Sequence, residues 1–548
     1  MLHAAEGADA QLDDSVARMT AQVTDEVDAA GIVLKARVVE PLSCRKIPAE
    51  HRRTQTWGRI ALVDMHEIRG RLLDAAAVPP GRSPGTTSVG AMASVEFPSP
   101  GTSGGLWTHQ NSGMPTVDKD RASDLCRYVD ASPSPFHAVA ESVRRLEEVG
   151  FRGLDADDTR PDPGRWYHRS GGALVAWVDE GRSPDAPLRI IGAHTDSPNL
   201  RVKPLPDHGG LGLRQVGVEV YGGALLNSWL DRDLGVSGRL VLREGAGRSV
   251  RLVRDDRPVA RIPQLAIHLD RGVTDKGLVL NAQNHLSPVM GAGLAEPGAF
   301  VGSLAVLADV DPSDVLAFDA MFHDLSPSIL SGPATEFVSA PRLDDLLSCH
   351  AGTEALITAA CSTGGSSGSK PNVVLEREGT GVPVLALFDH EEVGSISATG
   401  AGGPLLVRTL RRFVGLDDRR INGALVLSVD GAHGTHPNYP DRHDGDHPVL
   451  LNGGPVLKFN AKERYATDAP GAAEVRDLAE RAGVPLQSFV SRSDMPCGST
   501  IGPSTAAETG LRTVDLGVAQ LAMHSAREFC GSEDPALLGR LLDAVLAG

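Results

Sequence analysis

A chain of 548 residues, 41% hydrophobic and 22% charged, has the composition of a soluble globular protein and is long enough for two or three domains. Its formal net charge of -17 excludes a general affinity for nucleic acid or anionic membrane and leaves room only for a local basic pocket. Six cysteines without a CxxC pair, no apolar run of about 18 residues and no basic-then-apolar N-terminus predict a reducing, cytoplasmic setting with no membrane partner.

Residues 1–113 differ from the remainder. An isolated helical stretch, Asp14 to Val38, precedes Pro79 to Gly113, which is rich in Gly, Ser, Pro and Thr and lacks the means to pack a core. Either this stretch is a disordered tail or translation begins at Met114. Lys119 to Val149 then has helical spacing in Leu125, Val129, Phe136, Val139, Val143 and Leu146, and folded structure is expected from there.

Strands are expected at Ala173 to Val178 and at Leu188 to Ala193, the second of which delivers His194 and Asp196. An HxD of this kind lets a histidine bind metal while a carboxylate fixes its tautomer, although a hydrogen-bonded core pair fits the same spacing. Between residues 205 and 334 short alternating strands with Gly-rich turns, such as Gly238 to Arg243 and Ser249 to Val253, predict an inserted β-rich domain. There His268 falls in a strand-like Ile262 to Asp270 and, taken alone, reads first as a hydrogen-bonded core histidine.

After residue 334 the α/β pattern returns. Asp344 and Asp345 open a helical segment in Ser339 to His350, where acids in a first turn also suit capping. Val384 to Ser395 is the most telling stretch: an apolar run suited to a strand buried on both faces, ending in Asp389, His390, Glu391 and Glu392. Ala424 to Val429 ends likewise in Asp430, followed by a polar loop with His433, and Lys458 and His524 lie further on. A Gly/Ser/Pro-rich loop is expected over Cys497 to Ser504. Three apolar strands thus end in His194, Glu391 with Glu392, and Asp430, a recurrence that points to ligands gathered at the carboxyl edge of a sheet.

Taken in order, IIGAHTDSPNLRVKP (Ile190 to Pro204), PRLDDL (Pro341 to Leu346), FDHEEVGS (Phe388 to Ser395), SVDGAHGTHPNY (Ser428 to Tyr439), GPVLKFNAKERYATD (Gly454 to Asp468) and AMHSARE (Ala522 to Glu528) resemble the aspartyl aminopeptidase family of dinuclear zinc metallopeptidases. The resemblance begins after Met114. It implies a mixed-sheet α/β/α zinc-peptidase catalytic domain, residues 114–204 and 335–548, interrupted by a β-rich dimerisation domain, residues 205–334, in a homo-oligomer built from dimers toward a dodecamer.

It also implies two zinc ions per subunit, one held by His194, Asp344 and Asp430 and the other by Asp344, Glu392 and His524, with Glu391 as general base and Asp196 as orienter of His194. His268 resembles an insert-domain histidine that reaches an active site, in a substrate contact or as a metal ligand. Lys458 and His433 become candidates for binding an acidic N-terminal side chain of a peptide. The sequence departs from the family's pattern at Asp345, where relatives often carry Asn. Neutral N-terminal residues, a related deacylase and a non-catalytic shell protein are the alternatives.

Overall fold

The computed structural model describes residues 119–183, 185–362 and 381–547. The expected N-terminal extension, residues 1–113, with its helical stretch and Cys44, lies outside the described residues. The apolar runs Ala173–Val178, Val382–Phe388 and Leu425–Val429 form strands in which every residue is buried. They belong to a nine-stranded sheet whose middle strands, Val382–Phe388, Leu188–His194, Leu425–Val429 and Arg512–Gly517, run parallel in that order. Antiparallel neighbours flank this block: Ala173–Val178 beside Val382–Phe388, and Val456–Phe459 beside Arg512–Gly517. The sheet is therefore mixed.

Alternate side chains of these strands enter two cores. Ile191, Leu385, Leu387, Leu427 and Val514 pack with residues of the helices Lys119–Ala131, Pro135–Glu148, Leu343–Cys361 and Asp534–Ala547. Ile190, Val384, Ala386, Phe388 and Val426 pack on the opposite face with Leu405, Leu410, Phe413 and Ile501. Each fully buried Leu or Ile contributes about 1.5–3 kcal/mol relative to exposure, so both layers resist any slip of the strands between them.

The helical spacing over Lys119 to Val149 resolves into two helices, Lys119–Ala131 and Pro135–Glu148, because Pro133 and Pro135 interrupt the pattern. Ser134 caps the second, accepting from the His137 N–H. The loop expected over Cys497 to Ser504 is a loop only as far as Thr500. There Thr500 caps a helix, Ile501–Thr509, whose first turn tolerates Gly502 and Pro503 because its N–H groups lack intrahelical partners.

Between the strands ending at His194 and Phe388 the chain builds a closed six-stranded barrel, ordered Val315–Asp324, Asn199–Gly210, Leu213–Tyr221, Val289–Ala292, Gly247–Arg261 and Asp233–Glu244. Leu200, Val218, Leu240, Val253 and Phe322 fill it. The strand-like reading of Ile262 to Asp270 is wrong: the barrel strand stops at Arg261, and the segment beyond is an irregular, exposed turn. Pro263 cannot donate to a ladder, and the alternating Leu265, Ile267 and Leu269 are 58%, 50% and 75% exposed. A third sheet, ordered Ile329–Ser331, Phe337–Ala340, Glu528–Gly531, Ala519–Leu521 and Ala432–His433, completes the sheets among the described residues. No helix among the described residues is long and apolar enough to cross a membrane.

Gly517 ends its parallel strand where a β-carbon would collide with the Asp430 carbonyl oxygen and stand 2.9 Å from Lys458 Cε. Gly517→Ala is expected to cost about 1–3 kcal/mol, as overpacking against fixed backbone does, and to lower the thermal unfolding midpoint. An unchanged midpoint would show that the Asp430 backbone yields there.

Candidate metal centre

The sheet register decides what meets at its carboxyl edge. Phe388 pairs with His194 and Ser428 with Gly192, so Asp430, two residues past Ser428, stands level with His194. Asp389 to Glu392 follow directly after Phe388. Glu391–Val393 forms a single tight turn, entered through His390 at φ 68°, a left-handed conformation unusual for a residue with a side chain. Asp344 and Asp345 come from the start of the helix Leu343–Cys361, where their dihedrals are not helical. They are 3% and 0% exposed, which excludes the solvent-facing capping role open to first-turn acids.

His194 is 1% exposed and its Nδ1 lies 3.0 Å from the backbone carbonyl oxygen of Asp196, so that nitrogen donates and Nε2 faces the cluster. Nε2 is 3.3 Å from Asp344 Oδ1 and 3.8 Å from Asp430 Oδ1. His524 mirrors this arrangement. Its Nδ1 donates to the Gly223 carbonyl at 3.2 Å, and its Nε2 lies 3.4 Å from both Asp344 Oδ2 and Glu392 Oε2. Each oxygen of Asp344 therefore faces a different imidazole.

The Asp196 carboxylate lies within reach of the orienting role implied for it and makes further contacts besides. It stands 3.5 Å from His194 Nδ1, whereas its Oδ1 accepts from the Glu391 N–H at 3.0 Å and its Oδ2 from the Glu392 N–H at 3.1 Å and the Tyr221 hydroxyl at 2.7 Å. Asp345 Oδ2 accepts from the His194 N–H at 3.1 Å. Tyr221, Gly223 and Glu528 were not singled out as site residues by the sequence, whose only traces of them are the Tyr-Gly-Gly turn and the last letter of AMHSARE.

Charge is concentrated here with no arginine or lysine ion-paired to Asp344, Asp430 or Glu392 among the described residues. Burial and the charges of Asp430, Asp344 and Asp196, opposed by His194, push Glu391 up to about 8. Burial and then Asp344 push Glu392 well above the carboxylate range. Burial also raises Asp345 strongly, with Asp430 and Asp344 adding to it against His194, which drives this departure from Asn toward its neutral form. Burial lowers His524 while Asp344 and Glu528 raise it, to about 9 in sum.

Such a cluster demands positive charge, and buried charges are paired or coordinate metals. Asp344 Oδ1 and Glu392 Oε1 are buried without a hydrogen-bond donor. Ligand atoms of His194, Asp344, Asp345 and Asp430, of His194, Glu391 and Glu392, and of Asp344, Glu392 and His524 lie within 4.8 Å of one another in each set. Imidazole rings whose Nδ1 atoms are held by carbonyls so that Nε2 faces the cluster, with convergent carboxylates, are a donor set that fits zinc.

Lys458 is 2% exposed, and its ammonium makes no hydrogen bond or ion pair with the described residues and lies 5.4 Å from the Tyr465 ring centre. His433 is exposed and lies 6.0 Å from Phe489, which in turn is 6.2 Å from Tyr465. The structure does not bring His268 to the cluster of its own chain: it sits on the exposed turn after Arg261.

Comparison with known proteins agrees with this geometry. The family described as Aminopeptidase I zinc metalloprotease (M18) matches residues 128–544. A probable M18 family aminopeptidase 2 of Streptomyces coelicolor is 50% identical over 439 residues, covering 78% of this chain and 98% of the relative. Among solved structures, the cryo-EM structure of the Ape4 and Nbr1 complex aligns at TM-score 0.73 and 35% identity, covering 78% of this chain and 86% of that one. The S. cerevisiae mApe1 dodecamer aligns at 0.66 and 28%, covering 78% and 96%. The chain belongs to the M18 family of zinc metalloprotease aminopeptidases.

Proposed function

We propose that this aminopeptidase uses two zinc ions to release a single N-terminal residue, Asp or Glu, from peptides, as an aspartyl aminopeptidase does. The observation that carries the acidic preference is Lys458, a buried cation without an ion-pair partner among the described residues, whose Cε flanks Gly517 together with the Asp430 carbonyl. A substrate carboxylate would supply a direct ion-pair partner. His433 lies on the exposed side of the same aromatic group and is the second candidate contact.

His194 and Asp430 would hold one zinc ion and Glu392 and His524 the other, with Asp344 between them; the two Nε2 contacts of Asp344 support this division. When bound, the ions supply Lewis acidity and make water easier to deprotonate. Glu391 takes a proton from the attacking water and returns it to the leaving amine. Asp196 positions that base by holding the backbone N–H of Glu391.

His268 fits a contact to the substrate of a neighbouring subunit, because it stands on an exposed apolar turn rather than in its own chain's cluster. The mApe1 neighbour is a dodecamer, which favours a homo-oligomer for this chain as well. The described cysteines are all free, which agrees with a cytoplasmic setting.

Glu391→Gln is expected to reduce turnover by about 10²–10⁴-fold while bound zinc, measured by plasma emission on the same sample, stays at the wild-type level. Near-normal turnover would remove Glu391 from the role of base. Lys458→Met should lower kcat/KM for Asp- and Glu-terminated peptides on the order of 10²-fold and spare Leu-terminated ones. A wild-type enzyme that already prefers Leu would instead establish the neutral-residue reading. For His268, mixing His268→Ala subunits, whose turnover should be depressed, with Glu391→Gln subunits should restore some activity, since a mixed pair contains one complete site. Failure to restore any would place His268 outside a neighbour's site.

A further inference from the structure

We propose that Glu528 is a positioning residue for the metal centre: its single carboxylate fixes the backbones of two ligands at once. Oε2 accepts from the Asp344 N–H at 2.8 Å and Oε1 from the His524 N–H at 2.6 Å. The inference rests on the reading of Asp344 and His524 as zinc ligands. Glu528 itself is 2% exposed and is not among the residues whose ligand atoms converge on the candidate metal positions.

The third sheet explains how one side chain reaches both. The strand Glu528–Gly531 pairs antiparallel with Phe337–Ala340, with Glu528 opposite Ala340. Moving forward from Ala340, the chain reaches Asp344; moving backward from Glu528, it reaches His524. In an antiparallel pair those two directions leave the sheet at the same end, so the two ligand segments emerge side by side with Glu528 at their root. Each arrives through left-handed backbone at residues with side chains: Arg342 at φ 55° on one side, Ala522 at 55° and His524 itself at 66° on the other. Such conformations persist only where the surroundings over-determine them, and an acceptor shared by both N–H groups is that constraint.

A carboxylate can accept both bonds, whereas a carboxamide of the same shape can accept one and presents N–H₂ to the other donor. Glu528→Gln should therefore release either Asp344 or His524. Loss of an outer partner of this kind typically weakens metal affinity about 10–100-fold, and the weakening should fall mainly on the ion shared by Asp344, Glu392 and His524.

The test is zinc affinity and stoichiometry, titrated against a chromophoric chelator, for the full-length wild type, Glu528→Gln and Glu528→Asp, with the melting temperature of each metal-free protein. A weaker zinc ion in Glu528→Gln, with the metal-free melting temperature kept and activity rescued by excess zinc, is the expected result. Wild-type zinc affinity in a folded Glu528→Gln overturns the proposal, whatever the stoichiometry, and so does equal loss of all zinc together with a lowered metal-free melting temperature and no rescue, which marks a structural residue. If Glu528→Gln does not fold, Glu528→Asp decides by the same comparison. A wild type that binds fewer than two ions would count against the two-ion reading and leave the Glu528 comparison standing.

Discussion

The centre depends on one constraint, the hydrogen-bond register of the middle strands. Because Phe388 is held opposite His194 and Ser428 opposite Gly192, the residues that follow each apolar run arrive at one height above the sheet. A slip of one residue would turn the side chains on that strand to the opposite face. The two buried cores on either side of the sheet make such a slip expensive, so the packing of Ile190 and Ile191, of Val384 and Leu385, or of Val426 and Leu427, is what sets the spacing of the candidate metal-binding groups.

Around this frame a second set of carboxyl groups grips backbone rather than the cluster's centre. Asp196 holds the N–H groups of Glu391 and Glu392, Asp345 that of His194, and Glu528 those of Asp344 and His524. Placing further acids beside an acidic cluster is electrostatically unfavourable, yet each satisfies buried backbone donors that would otherwise be unpaired. The barrel contributes to the same layer through Tyr221, which donates to Asp196, and the Gly223 carbonyl, which fixes the ring of His524.

What the sequence revealed follows from the range of the interactions. Strand ends are local events: an apolar run that stops at a polar residue is visible without knowing the fold, so His194, Glu391, Glu392 and Asp430 stood out. Asp344 did not on physical grounds, since an acid opening a helix has an ordinary explanation, and it entered through the family resemblance. Tyr221, Gly223 and Glu528 act across the chain, with Gly223 bonding a ring 301 residues away and Glu528 reaching back 184, and no spacing rule reports contacts of that span. The error at Ile262 to Asp270 has a different cause. Alternating apolar residues signal a strand only when a neighbour stands ready to pair, and beyond Arg261 none does.

The barrel lies in the chain between the strand that ends at His194 and the strand beside it that ends at Phe388, and this order shapes how the molecule comes into being. A nascent chain that has completed the His194 strand must still emit the whole barrel before either parallel neighbour of that strand exists, and contacts between such distant segments form late. His524 comes later still. A chain translated only through the barrel therefore lacks most of the groups that converge at the candidate metal centre, and that centre cannot assemble until both neighbouring strands and His524 have been made.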